Sequence, residues 1–235
     1  MPLPKIAAPT YEITLPSSGK PLRYRPFLVK EEKVLMLASE SENEKDIAQA
    51  IKSIIKNCIA TRGIKIESLP SFDIEYIFLN IRGKSVGEVI DLTVPCPDDD
   101  KSVVSTSINV EAVQVTFPEG HNPEIDLGKG ITLYMKYPSM DAFIEANFKQ
   151  AEQDPFSVVA KCIDKIIEGD EVHEAKDCTP KELKDFLESM TSEQFKEIQK
   201  FFETMPRLEH TIQITNPNTN VISDVTLTGL GDFFG

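Results

Sequence analysis

Positive charge is scarce in this chain of 235 residues, where 25 Lys and Arg stand against 38 Asp and Glu for a formal net charge of −13. Nucleic-acid binding depends on basic residues that displace counterions from phosphates. A phosphate backbone is therefore a poor partner, and the acid excess reads as a solubility device. Long apolar runs are also missing. Nothing approaches the roughly 18 consecutive apolar residues of a membrane-spanning helix. The start Met1-Pro-Leu-Pro-Lys5 lacks the apolar core of a signal peptide, so a protein made and kept in a cytoplasm is expected. Cysteine is sparse, and Cys58, Cys96, Cys162 and Cys178 are widely separated. That spacing argues against a disulfide scaffold and a self-contained metal knuckle. Cys58 and Cys162 lie in apolar stretches of helical spacing and read as small buried hydrophobes.

Catalytic raw material is thin. The histidines are His121, His173 and His210, and none sits in a recognisable motif. Glycine-rich phosphate loops, dinucleotide fingerprints and nucleophile elbows are absent. Cys162 or Cys178 near His173 and Asp177 is the best nucleophilic grouping, but a solvated histidine and inert thiols account for it. Paired carboxylates need a defined separation across a cleft to catalyse, and the many acids here show no such pattern. Asp98-Asp99-Asp100 lacks the spaced ligands and closing glutamate of a calcium loop and reads as an acidic turn. No catalytic residue, metal, cofactor or small-molecule substrate is expected.

What is present is a clear alternation of elements. Tyr11–Leu15 and Leu22–Leu28 flank a Pro-Ser-Ser-Gly-Lys turn, a first hairpin. Lys30–Ser39 turns helical. Ile47, Ile51, Ile54, Ile55, Cys58 and Ile59 recur at three- and four-residue spacing, as do Ile74, Ile77, Phe78 and Ile81 after Ser71. From Gly87 the period becomes two, through Val89–Val94, Val103–Val110, Ala112–Phe117 and Ile131–Met135, with connections too short for parallel crossovers. Helices are expected again from Ser139 and from Asp154-Pro155, the second with Val159, Cys162, Ile163, Ile166 and Ile167 on its buried face. Thr179-Pro-Lys-Glu182 and Thr191-Ser-Glu-Gln194 are capping boxes that begin two more. The fold class is α+β. Four blocks are expected: 1–87, hairpin plus helices; 88–137, antiparallel β; 138–209, helical; and 210–235, a terminal hairpin packed on the central sheet.

The last block carries the sharpest pattern. Ile212 and Ile214 alternate with polar residues, Val225 and Leu227 answer them, and Asn216-Pro-Asn-Thr-Asn220 supplies turn formers. Leu230, Phe233 and Phe234 then form an apolar plug that needs a cover, either this chain's own core or a partner. This turn and Val94-Pro-Cys-Pro-Asp-Asp99 are placed where a zinc ribbon carries two Cys-x-x-Cys knuckles. Only Cys96 could be a ligand: Asp99, Asn216 and Thr219 stand at the other positions, so a four-ligand structural site is not available.

Three segments together resemble the baseplate hub proteins of T-even-type contractile-tailed bacteriophages: Tyr24-Arg-Pro-Phe-Leu-Val-Lys-Glu-Glu-Lys33; Phe72-Asp-Ile-Glu-Tyr-Ile-Phe-Leu79 with Arg82 and Lys84-Ser-Val-Gly-Glu88; and Gly229-Leu-Gly-Asp-Phe-Phe234. Members of that family often carry cysteine pairs at the two turns, and here only Cys96 stands. The resemblance implies a non-enzymatic structural or assembly role in the central hub of the tail baseplate, through contacts with other hub proteins. It places the protein in the host cytoplasm during assembly, with the virion tail baseplate as a further location. Leu230, Phe233 and Phe234 are the candidate interaction residues, with Tyr24, Arg25 and Phe27 as a second patch; core packing is the competing explanation for each. Two other functions stay open, a degenerate zinc-ribbon adaptor associated with nucleic acid and a cysteine-dependent hydrolase.

Overall fold

The computed structural model describes residues 6–41, 43–99, 101–139 and 155–234. The architecture is α+β with antiparallel sheets, as the sequence indicates. In chain order the elements are β1 (Tyr11–Thr14), β2 (Pro21–Tyr24), α1 (Val29–Glu40), α2 (Glu44–Cys58), α3 (Ser71–Val86), β3 (Val89–Pro95), β4 (Val103–Asn109), β5 (Gln114–Thr116), β6 (Glu124–Gly128) and β7 (Ile131–Met135). They continue with α4 (Pro155–Lys161), β8 (Ile163–Glu168), β9 (Glu171–Glu174), α5 (Pro180–Glu188), α6 (Ser192–Glu203), β10 (Arg207–Thr215), β11 (Ile222–Thr228) and α7 (Gly229–Phe234).

Two compact units divide the chain. The described residues of Met1–Ile66, Phe72–Thr116 and Arg207–Gly235 form the first; those of Glu67–Ser71 and Phe117–Pro206 form the second. The β-rich stretch 88–137 thus contributes β3, β4 and β5 to the first unit and β6 and β7 to the second.

In the first unit, β3 and β4 pair as one hairpin, and β10 and β11 pair as another with Ile212 opposite Val225. The strand β10 also pairs with β5, which ties the terminal hairpin to the stretch after β4. Alternation puts Ile90, Leu92, Val94 and Ile108 of one hairpin and Leu208, Ile214 and Leu227 of the other into a single apolar cluster with Leu79 of α3. The helices follow their sequence stripes: Ile51, Ile54, Ile55 and Cys58 of α2 and Ile74, Ile77, Phe78 and Ile81 of α3 are buried. Asp73, buried in the first turn of α3, accepts the Ser17 N–H (3.0 Å) and hydroxyl from the β1–β2 turn.

The second unit is a four-stranded sheet, order β6-β7-β8-β9, sharing one apolar cluster with α4, α5 and α6. Both expected capping boxes form, with Thr179 and Thr191 accepting the N3 backbone N–H and Glu182 and Gln194 accepting the N-cap N–H in return.

One expectation is overturned. The apolar run after Pro155 is not a single helix: α4 ends at Lys161, and Ile163–Glu168 is a strand that pairs with β7 on one side and β9 on the other. Its isoleucines fit helical spacing, but Gly169-Asp170 is a two-residue hairpin turn with glycine at φ +59°, and strands on both flanks hold the β-branched run extended. The strand expected over 112–117 is likewise shorter, since Val110–Ala112 form a 3₁₀ turn. The helix start expected at Ser139 leads into residues outside those described.

Candidate functional site

The turns of the β3–β4 and β10–β11 hairpins in the first unit meet, and their side chains form a closed polar network. Asn216, only 1 % exposed, uses every polar group it has. Its amide donates to Asp98 Oδ1 (2.9 Å) and Asp99 Oδ2 (3.0 Å), and its Oδ1 accepts the Asn218 N–H (2.9 Å). Its backbone N–H donates to the Val221 carbonyl and its own carbonyl accepts the Asn220 N–H, both at 2.9 Å. Thr219 Oγ1 donates to Asp98 Oδ2 (2.5 Å), and Asn218 Nδ2 donates to Ser102 Oγ (2.8 Å), which donates to Asp99 Oδ2 (2.6 Å). The N–H groups of Lys101 and Ser102 complete Asp99 through Oδ1.

Electrostatics follow the bonds. The Thr219 hydroxyl and Asn216 amide hold the Asp98 carboxyl below its usual range. Ser102 and Asn216 hold Asp99 lower still. Burial pushes the Cys96 thiol up, and the neighbouring Asp98 and Asp99 add to that.

These donors do not fit the zinc knuckle whose outline the turns share. A structural zinc site takes four cysteine or histidine ligands. Here one thiol stands beside oxygen and amide groups that bond one another instead of converging on a centre. Among the described residues, no group of three or more His, Cys, Asp and Glu could hold a metal ion. The network does by direct hydrogen bonds what an ion would do by coordination: it joins turns more than 110 residues apart in sequence.

The residues singled out in the sequence fall as follows. Phe233 is 0 % exposed inside the cluster shared by the two hairpins, and Leu230 packs half-buried against it. Phe234 ends α7, and its side chain lies outside what the structure describes. Tyr24 and Phe27 are buried, and Arg25 donates from Nη1 to the Pro26 carbonyl (2.8 Å) and from Nη2 to Glu31 Oε1 (3.0 Å). The Arg25 N–H donates to the Cys58 carbonyl and the Phe27 N–H to Ser85 Oγ, so this segment braces the ends of β2, α2 and α3 from within. Burial opposes ionisation of Glu31, yet the bonds from Arg25 and the Leu28 N–H outweigh it and hold the carboxyl below its ordinary value.

The thiol grouping is not assembled. Cys162 is buried and its thiol is pushed up to about 11 by burial, while Cys178 Sγ donates to the Glu174 carbonyl. His173 is exposed, and its Nε2 lies 3.9 Å from Glu171 Oε2. His121 bonds Thr204 and Tyr137 through its two ring nitrogens and stacks on Tyr137, the pattern of a histidine satisfied within its own unit.

Asp98, Ser102 and Asn218 carry half the network, and the sequence marks Asp98 and Asn218 only as turn residues and Ser102 not at all. The signal was the density of Asx and Ser turn formers in both segments, Asp98-Asp-Asp-Lys-Ser102 and Asn216-Pro-Asn-Thr219. At the same end of the hairpins, Val103, Val221 and Ile222 point apolar groups into solvent.

No curated protein and no solved structure matches the chain. A family model described as T4 bacteriophage base plate protein matches residues 8–235, nearly the whole chain and including both turns and the α7 ending. This chain belongs to the T4 bacteriophage base plate protein family and is a structural protein of the phage baseplate.

Proposed function

We propose that the protein works in the central hub of the baseplate as a non-enzymatic structural or assembly component, binding other hub proteins through the turn end of its paired hairpins. The observation that supports this reading is the pairing of exposed Val103, Val221 and Ile222 with a polar network that is already satisfied. A partner covering those three side chains gains apolar burial without orphaning a polar group, and the bonded turns lose little freedom on docking. In this reading Leu230 and Phe233 act from inside, by holding the two hairpins together, and Tyr24, Arg25 and Phe27 do the same for the helices. The protein meets its partners in the host cytoplasm during assembly and is carried into the virion baseplate.

The test is a double substitution, Val103→Glu with Ile222→Glu, followed by co-purification from infected cells. The variant is expected to keep the wild-type circular dichroism melt and to be lost from hub intermediates. Undiminished recovery of the variant with hub proteins, or absence of the wild type from such complexes, counts against the proposal.

A further inference from the structure

We propose that α1 is a self-association surface, on which a second copy of this chain packs antiparallel about a two-fold axis. The inference goes beyond the hub reading and does not depend on it. Helix α1 turns apolar groups outward as well as inward. Its inward side buries Glu31 and Ala38, while its outward side carries Val29, Met36 and Leu37 at 80 %, 59 % and 57 % exposure. A surface helix ordinarily turns its apolar stripe to the core, so an outward stripe of this kind marks a contact face. Beside the helix lies a groove of about 400 Å³ in which Phe27, Leu35, Met36 and Val86 supply the apolar wall and Glu32, Ser39, Glu40 and Arg82 the polar one.

The charges on the stripe say what covers it. Lys33, Met36, Leu37 and Glu40 stand three, four and seven residues apart, on one face. An antiparallel pair centred between Met36 and Leu37 sets Met36 against Leu37 of the other copy, twice. The same register sets Lys33 against Glu40 of the other copy, also twice. The negative carbonyl end of each helix then lies beside the positive amide end of its mate. A parallel arrangement would oppose like charges at both ends. The face is thus self-complementary, the property an isologous two-fold contact requires. A contact along one helix of 12 residues is short, and a dimer of about micromolar strength is expected because interfaces of this size sit at the weak end.

Sedimentation equilibrium of the full chain tests this. A monomer–dimer equilibrium is expected for the wild type at concentrations up to about 100 µM, well above a micromolar Kd. Leu37→Glu, at an exposed site, should weaken it by about tenfold or more. Lys33→Glu and Glu40→Lys should each weaken it by about two- to fivefold, and the two together should restore it. Circular dichroism of each variant verifies the fold. A wild type that stays monomeric, a Leu37→Glu variant that dimerises undiminished, or a charge swap that fails to rescue overturns the proposal. None of these outcomes bears on Val103 or Ile222, so a failure here is distinct from a failure of the hub reading.

Discussion

The two units use polarity in opposite ways. Among the described residues, the second unit follows the ordinary rule and leaves only Phe117 and Val172 as large apolar side chains in solvent. The first unit breaks the rule in both directions. It buries Glu31, Asp73, Ser102 and Asn216 and exposes Val29, Met36, Leu37, Val103 and Ile222, among others. Buried polar groups that are fully bonded fix one arrangement of the chain. Exposed apolar groups clustered on such a frame are what a binding surface needs. In the proposed function the first unit is the part that meets other proteins, and the second is a unit closed on itself.

The largest effect that would break this comparison concerns the apolar end of the chain. Phe233→Ala removes a fully buried ring from between the hairpins and is expected to cost about 3–5 kcal/mol in urea unfolding. A cost below about 1 kcal/mol would mean that α7 is not part of the core.

The network comes next. Asn216→Ala leaves Asp98 and Asp99 without their amide donor and is expected to cost about 1–3 kcal/mol. In the second unit, Gln194→Ala removes its bond to the Leu127 carbonyl (2.6 Å) and its acceptance of the Thr191 N–H (2.9 Å) at a partly exposed site, where water replaces both partners, and should cost about 1 kcal/mol. Equal losses by chemical denaturation would erase the distinction drawn between the units.

Titration sharpens it further. Burial pushes Glu75 on α3 up to about 7 from an ordinary 4.5. Its contribution is fully present below the ordinary value and is lost as pH rises through about 7. Asp98 and Asp99, held low by their partners, contribute above the ordinary aspartate value and lose that contribution as pH falls below it. Glu75→Gln should raise Tm by a few degrees at pH 8, a gain that shrinks toward pH 4.5. A constant gain across that range would show that charge is not the cause.

Local chemistry was legible in the sequence. The capping boxes at Thr179 and Thr191, the isoleucine stripes of α2 and α3 and the β10–β11 hairpin all form, because each rests on contacts within a few residues. Helical spacing points to a helix where Ile163–Glu168 is a strand, because spacing alone cannot separate a helix from a β-branched run whose partners lie in Leu133 and Val172. The polar site was half visible. Cys96, Asp99, Asn216 and Thr219 stood out by their placement at paired turns, but the contact between those turns spans more than half the chain, and no local pattern encodes it. The outward exposure of Val34, Met36 and Leu37 in α1 is hidden for the same reason: a helical stretch with apolar residues does not by itself say which side faces inward, and the neighbouring elements decide it.

In the proposed function the first unit carries the contact surface. Hydroxyl-radical footprinting of the protein, alone and within purified hub intermediates, tests it most directly. Protection in the intermediates is expected at Val103, Val221 and Ile222, with labelling of Phe117 and Val172 unchanged. Protection confined to Phe117, Val172 or the outer faces of α5 and α6 would contradict it.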